Sequence, residues 1–137
     1  MEFDGTLIQE TDYTTWFDIV RGGPQESSEM AGVDTVIPSS PGFVPMPREA
    51  RQRRILLAGW IHETSASAFV TAWKALHALF DPTAGAKVLE IPLADSTTAT
   101  ILAQPLNIVP DEEGVIAGVT QRFAIELISG APDWTIT

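Results

Sequence analysis

Residues 22–52 constrain the fold of this chain more than any other stretch. Five of the ten prolines fall between positions 22 and 47, among glycines and paired serines. Proline fixes φ and removes a backbone donor, so this segment is excluded from a central strand and from a helix interior. A loop of more than about 15 residues is unusual inside a compact domain and is commonly functional or disordered. The folded core must therefore come from the residues on either side.

Most of the remaining sequence has the alternation typical of β-strands. Residues 13–20 and 53–62 are rich in β-forming side chains, and both faces of 53–62 are apolar, which predicts that this strand is covered on both sides. Gly59 within it indicates a bulge or a close contact with a neighbouring element. Further strands are predicted at 87–93, at 98–109 with a bulge or edge position at Pro105, and at 115–128 after a polar turn at 111–114.

Residues 65–80 predict a helix. Ser65 or the threonine before it can act as N-cap, and the Asp81-Pro82 pair ends the helix because the residue before proline disfavours helical geometry. The apolar residues form a single stripe that we expect to pack on a sheet rather than to act as an aromatic binding platform. The stripe consists of Phe69, Ala72, Trp73, Leu76, Leu79 and Phe80.

The order of these elements predicts the fold class. We expect an α+β fold, mainly an antiparallel β-sandwich or barrel with one amphipathic helix packed on it and one long irregular loop. A chain of 137 residues has the size of one domain, so we expect a single domain over 1–137 with the loop at 22–52.

Composition removes several functional classes. The net charge is −10, which argues against binding to nucleic acid, and no apolar run approaches the roughly 20 residues needed to cross a bilayer. The chain contains no cysteine, which excludes disulfides, cysteine-ligated zinc and a thiol nucleophile. The first residues are acidic where a signal peptide would be basic, so we expect a soluble protein.

No combination of residues predicts catalysis. His62 and His77 are 15 residues apart, a spacing that matches no compact metal motif, and each is expected to be exposed or at an interface. The adjacent carboxylates at 111–113 are better explained by a turn than by an acid–base pair. We therefore expect no enzyme activity, no metal and no cofactor.

The basic residues are unevenly placed. Residues 48–54 hold four of the eight Lys and Arg, directly after a strongly acidic region, and the long loop before them carries scattered apolar side chains. One interpretation is a solvated and flexible surface loop. The other is a subunit interface, in which the loop lies on another copy and arginines face that copy's acidic region. The candidate interface residues are Arg48, Arg51, Arg53, Arg54, Phe43, Val44 and Met46.

Several phrases of the sequence resemble the N-terminal domain of siphophage distal tail proteins. The similarity is a loose pattern over most of 13–134, and no single motif in it is diagnostic. It is carried by 16–23 (WFDIVRGG), 32–34 (GVD), 54–61 (RILLAGWI), 69–82 (FVTAWKALHALFDP), 123–127 (FAIEL) and 131–134 (APDW). Many family members carry a second, galectin-like domain, for which we expect no room here.

The resemblance implies a non-catalytic scaffold in the virion, assembled in the host bacterial cytoplasm. Family members form a hexameric ring at the distal end of the tail, linking the tail tube to the baseplate or tail tip. The implied partners are other copies of the chain and the tail proteins above and below, with DNA able to pass through the lumen. Tail tube and tail completion proteins share this plan and remain alternatives.

A carbohydrate-binding module is a rival from a different class. Its aromatic anchors would be Trp16, Trp60, Trp73 and Trp134. Tryptophan in a strand or in an apolar helix stripe is usually part of a core, which favours the ring subunit.

Overall fold

The computed structural model describes residues 1–27, 52–110 and 119–137, together with the backbone of four two-residue strands between positions 30 and 50. Antiparallel strands dominate these residues, and one α-helix, α1 (Ala66–Leu79), is followed by a short 3-10 turn, Pro82–Ala84. The strands are β1 (Glu2–Phe3), β2 (Thr6–Leu7), β3 (Thr15–Arg21), β4 (Met30–Ala31), β5 (Thr35–Val36), β6 (Phe43–Val44), β7 (Glu49–Ala50), β8 (Arg53–His62), β9 (Lys87–Pro92), β10 (Thr98–Pro110), β11 (Thr120–Ser129) and β12 (Thr135–Ile136).

One long strand, β10, connects two sheets. The strand order is β2-β1-β9-β10-β11-β8-β3, with β12 paired to β10 outside this path. Residues 98–103 of β10 pair with β9, and its later residues pair with β11. The register shifts between Pro105 and Asn107, which confirms the predicted bulge. We call β1, β2, β9, β12 and the start of β10 the first sheet, and the end of β10 with β11, β8 and β3 the second sheet.

The outer edges of the two sheets meet at Ile8 without forming a continuous ladder. The Ile8 N–H donates to the carbonyl of Met1 at 3.1 Å, and the Ile8 carbonyl accepts from the N–H of Phe17 at 2.9 Å. The strand order itself stays open. The architecture is a sandwich-like α+β fold, as the sequence predicts.

The helix completes the core between the sheets. Ser65 caps its first turn by accepting from the N–H of Ala68 at 3.1 Å, as expected. The ring of Phe80, at its end, stacks on Phe3 of β1 with centroids 4.5 Å apart. The prediction for the apolar stripe fails at Trp73, which is 38% exposed. The core consists of Met1, Phe3, Ile8, Phe17, Ile55, Leu57, Ile61, Phe69, Leu76, Phe80, Leu89, Ile101, Ala103, Phe123, Ile125 and Leu127.

Among the described residues, the two faces of strand β8 are buried to different degrees. Ile55, Leu57 and Ile61 face the core and are fully buried, whereas the outward Leu56 and Trp60 are partly buried. The prediction that both faces are covered therefore holds fully for the inner face and only in part for the outer one. Gly59 does make the predicted close contact, because a Cβ there would lie 1.8 Å from a backbone oxygen of β3.

The long segment contains paired backbone. Strand β4 pairs with β7, and β5 pairs with β6, both antiparallel. The β5–β6 pair therefore lies between β4 and β7 in the sequence, and both pairs lie between β3 and β8. The sequence predicts only an irregular loop here. It also misses the short terminal strands β1, β2 and β12. The predicted turn at 111–114 and the predicted start of the last strand at 115–118 lie outside the described residues.

Candidate functional site

The predicted interface residues fall into three groups in the structure. Arg48, Arg51 and Met46 lie outside the described residues. Phe43 and Val44 form β6, for which only the backbone is described. The structure therefore gives the surroundings of two predicted residues, Arg53 and Arg54, which are neighbours in β8 and point in opposite directions.

Arg53 is directed into its own chain, at the base of the long segment. It is only 4% exposed, and its Nε donates to the carbonyl of Pro132 at 2.7 Å. Its Nη1 donates to the carbonyls of Gly22 (3.3 Å) and Gly23 (3.1 Å), and both Nη atoms reach the carbonyl of Glu26 at 3.1 Å. Arg53 directly follows the long segment, and its guanidinium binds both the start of that segment, at residues 22–26, and Pro132, which precedes β12.

Further contacts close the same junction. The indole N–H of Trp134 donates to the Gly22 carbonyl at 2.9 Å, and the Gly22 N–H donates to the carboxylate of Glu26 at 3.0 Å. Gly22 has a φ of +80°, and a Cβ there would lie 2.1 Å from the carbonyl oxygen of Arg54. A residue with a side chain does not fit this turn, because both the φ and the space require glycine.

Arg54 is the surface member of the pair. Its side chain is 68% exposed, and its Nη1 lies 3.8 Å from Oε1 of Glu126 on β11. It lines a shallow groove together with Arg21, Leu56 and Glu126. An exposed ion pair of this length contributes about 0–1 kcal/mol, so Arg54 can change partner at little cost.

An aromatic cluster lies at the opposite end of the β3–β8 pair. Trp16 and Trp60 are direct cross-strand partners, and the ring of Tyr13 lies 4.8 Å from that of Trp16 at an angle of 36°. The indole N–H of Trp60 donates to the Tyr13 carbonyl, and that of Trp16 donates to the Asp18 carboxylate, each at 3.0 Å. Because both indole donors are engaged, the cluster offers ring faces to a partner. Tyr13 is its most exposed member, at 57%.

A strained and acidic turn presents the tyrosine. Tyr13 has a φ of +61°, a left-handed conformation that is uncommon for a bulky side chain. Its N–H donates to the Glu10 carbonyl at 3.0 Å. The carboxylate of Asp12 accepts from the N–H of Thr14 at 3.2 Å and from its hydroxyl at 2.9 Å. The backbone bond, followed by the hydroxyl bond, lowers the pKa of Asp12 below its usual value, so this carboxylate stays charged.

The described residues contain no metal-binding cluster. Within 1–27, 52–110 and 119–137, no group of three or more His, Asp or Glu could hold an ion. His62 is exposed, with its Nδ1 2.5 Å from the hydroxyl of Thr120, and His77 lies with its ring 4.9 Å from that of Trp73. In the same residues, no helix is both long and apolar enough to cross a membrane.

The four tryptophans do not form one site. Only Trp16 and Trp60 are adjacent, whereas Trp73 lies on α1 and Trp134 packs against the core beside Arg53. The structure therefore reduces the proposed set of carbohydrate anchors to a two-tryptophan cluster with Tyr13.

The sequence matches no protein-family model and no curated protein. Among solved structures it matches the SPP1 Dit protein (gp 19.1), described as a paradigm of the hub adsorption apparatus in phages that infect Gram-positive bacteria. The match covers 95% of this chain with a TM-score of 0.65, at 13% sequence identity. This chain has the fold of part of the SPP1 Dit protein. It spans 49% of the length of that protein.

The match confirms, at the level of the fold, the resemblance to siphophage distal tail proteins. Sequence reasoning missed two features of the candidate site. The inward position of Arg53 was available from the alternation of β8, because residue 53 is in phase with Ile55 and Leu57. The exposure of Tyr13 carried no sequence signal, because it depends on a left-handed turn that a bulky residue rarely adopts.

Proposed function

We propose that this chain is a structural subunit of a bacteriophage tail. In this proposal it forms a homohexameric ring at the distal end of the tail and links the tail tube to the baseplate or tail tip. The observation that carries the proposal is the Dit-like fold, which extends over 95% of the chain. Because 13% identity supports fold alone, the ring and its position are inferences from that fold.

The junction at Arg53 supports a role in assembly. It anchors the two roots of a segment that contains paired backbone strands and that carries apolar residues in its sequence, Phe43, Val44 and Met46 among them. A segment with such residues is stabilised when it lies against a partner surface. In the proposed ring that surface belongs to the neighbouring copy, and the unevenly distributed charges make contacts of opposite sign available.

The proposal includes the other expected partners and the location. The subunit belongs to the virion, is assembled in the host bacterial cytoplasm, and contacts the tail proteins above and below its ring. DNA passes through the lumen without specific binding, and the role requires neither catalysis nor a cofactor.

Native mass spectrometry and negative-stain electron microscopy of the purified chain test this proposal. A distal tail subunit should form single hexameric rings with a central opening. A tail tube protein of the same fold should instead polymerise into long tubes when concentrated. A chain that remains monomeric up to hundreds of micromolar would contradict the ring.

A further inference from the structure

The outward face of the β3–β8 pair has two chemically opposite ends. One end holds Tyr13, Trp16 and Trp60 beside the carboxylates of Asp12 and Asp18; we call it the aromatic–acidic end. The other end holds Arg21 and Arg54, which line one groove; we call it the arginine end. Between the two ends lie Leu56 and Ala58, both partly buried, and Ala58 is the cross-strand partner of Asp18.

The arginines of one copy lie too far from its own aromatic rings to contact them. A register shift in β3 pairs Arg21 with Leu56, so Arg21 lies four ladder steps from the Trp16–Trp60 pair, and Arg54 lies six residue steps from Trp60 along β8. At about 3.3 Å per step these separations are roughly 13 and 20 Å. An arginine side chain extends only about 7 Å, two residue steps of a strand, so the arginines cannot fold back onto the aromatic rings of their own copy.

We infer that the aromatic–acidic end is the docking site for the arginine end of a second copy of this chain. The inference rests on the ring proposed above and names its contact. Because both ends lie on one face, an antiparallel pair of copies would form a closed, isologous dimer. The proposed ring requires the other arrangement, a heterologous, head-to-tail contact in which each copy uses its two ends with two different neighbours, and this closes when the rotation per copy allows.

The chemistry of the two ends is matched. A guanidinium is planar, stacks on aromatic faces and pairs with carboxylates through two parallel hydrogen bonds. The aromatic–acidic end supplies ring faces, because the indole donors are already engaged within the chain. It also supplies the carboxylates of Asp12 and Asp18, whose oxygens retain acceptor capacity beside the bonds they accept from Thr14, Gln9 and Trp16, since an ionised carboxylate has about four lone-pair sites. The partner is a second copy rather than another basic protein because this chain, with a net charge of −10, exposes its own arginines on the same face.

The contacts already present at each end leave the docking geometry accessible. At the arginine end, the ion pair between Arg54 and Glu126 is long and exposed, and therefore weak. Docking replaces it with an ion pair between Arg54 and a carboxylate of the second copy, which is less hydrated. At the aromatic end, Arg122 is the cross-strand partner of Trp60 on the side of β11. The incoming arginines therefore approach from the side of β3, where Tyr13 is exposed.

A charge-swap experiment tests the contact directly. Two variants of the full chain are compared by native mass spectrometry and analytical ultracentrifugation: Asp18→Arg at one end and Arg21→Glu/Arg54→Glu at the other. Each variant alone should lose its rings, because like charges then face each other. An equimolar mixture should restore them, because in an alternating ring every contact again joins opposite charges. Restored rings must contain an even number of copies.

A second pair of variants separates docking from folding. Tyr13→Asn should raise the concentration needed for half-assembly at least about tenfold, as expected for loss of an aromatic hot spot. Asparagine tolerates the left-handed turn, so the midpoint of thermal unfolding should be unchanged. Leu102→Asn is the matched control, because Leu102 is 54% exposed but lies on the first sheet. It should leave the half-assembly concentration as in the parent chain.

The outcomes distinguish this contact from the ring itself. Rings that form normally in both charge-swap variants and in Tyr13→Asn would overturn the contact while leaving the proposed function intact. A parent chain that never assembles would overturn both. Raising NaCl from 0.1 to 1 M shortens the screening length from about 10 to about 3 Å and should weaken assembly. Salt-insensitive rings would also contradict the contact.

Discussion

Replacing Arg53 with alanine should destabilise the folded chain by about 3–5 kcal/mol, the usual cost of removing one member of a buried charged network. The guanidinium is 4% exposed, its closest contact is 2.7 Å, and it also lies 3.9 Å from the carboxylate of Asp133. Each hydrogen bond from a charged donor contributes about 1.5–3 kcal/mol, but those made by one side chain are not additive. After truncation the Gly22 carbonyl keeps the indole of Trp134, whereas Gly23 and Pro132 lose this donor.

Urea denaturation followed by tryptophan fluorescence measures the effect, at a protein concentration low enough to keep the chain monomeric. For a domain of this size, 3–5 kcal/mol corresponds to a decrease in Tm of roughly 10–15 °C. The stability of Arg53→Lys should lie between that of the parent and that of the alanine variant, because lysine keeps the charge but lacks the planar guanidinium that donates in several directions.

The neighbouring arginine supplies the matched control. Arg54→Ala removes a side chain that is 68% exposed and should cost about 1 kcal/mol or less. If Arg53→Ala unfolded at the same urea concentration as Arg54→Ala, the assignment of Arg53 as the anchor of the long segment would be wrong. For the same reason Arg53 should not be replaced with Glu in assembly experiments. A carboxylate at this buried position would face backbone carbonyls, and the loss of folding would mask any effect on assembly.

Three further predictions concern the rest of the fold. Gly59→Ala should destabilise the chain by about 1–3 kcal/mol or more, because its Cβ would lie 1.8 Å from a backbone oxygen of β3, whereas Gly130→Ala, with nothing within 4 Å, should be neutral in the same urea assay. Leu76→Ala, at a position 4% exposed, should cost about 2–5 kcal/mol, while Trp73→Ala on the same helix should cost about 1 kcal/mol or less; equal losses would contradict the assigned helix face. Hydrogen bonds from the hydroxyl and then the N–H of Thr97 lower the pKa of Asp95, so the stabilisation that its carboxylate contributes is present above about pH 4 and is lost as the pH falls further. The difference in unfolding free energy between the parent and Asp95→Asn should therefore shrink on acidification, and a difference that stays constant with pH would refute this linkage.

The elements that depend only on residues close to one another along the chain could be predicted from the sequence. The helix needs only its stripe, its Ser65 cap and the following Asp81-Pro82, and the structure places it at Ala66–Leu79. Strand β8 was predicted at its observed bounds, and the bulge at Pro105 followed from the missing donor of proline. These features depend on neighbours within a few residues along the chain.

Features set by contacts between distant residues could not be predicted in the same way. The two-residue strands β1 and β12 are too short to show alternation and exist because β9 and β10 provide paired edges. Trp73 has the spacing of a core residue, yet the width of the buried surface under α1 leaves it 38% exposed. The Arg53 junction joins carbonyls from three segments, and carbonyls have no signature in sequence.

The candidate site was predicted in outline only. Charge distribution along the sequence indicated a contact between arginines and an acidic region. The inward direction of Arg53 could be taken from the alternation of β8, but nothing in the sequence showed that Tyr13 and Trp60 lie together with Asp18 on one strand pair. That arrangement depends on the register between β3 and β8, which is a tertiary property.

The membership of β10 in both sheets has a consequence for how the molecule unfolds. Its early residues pair with β9 and β12 and its later residues with β11, so neither sheet can separate without losing a strand it shares with the other. Opening of either half is thereby coupled to opening of the whole, and the domain should lose its structure in one cooperative transition. Backbone amides of β9 and β11 should then exchange with solvent deuterium at similar, slow rates governed by global opening.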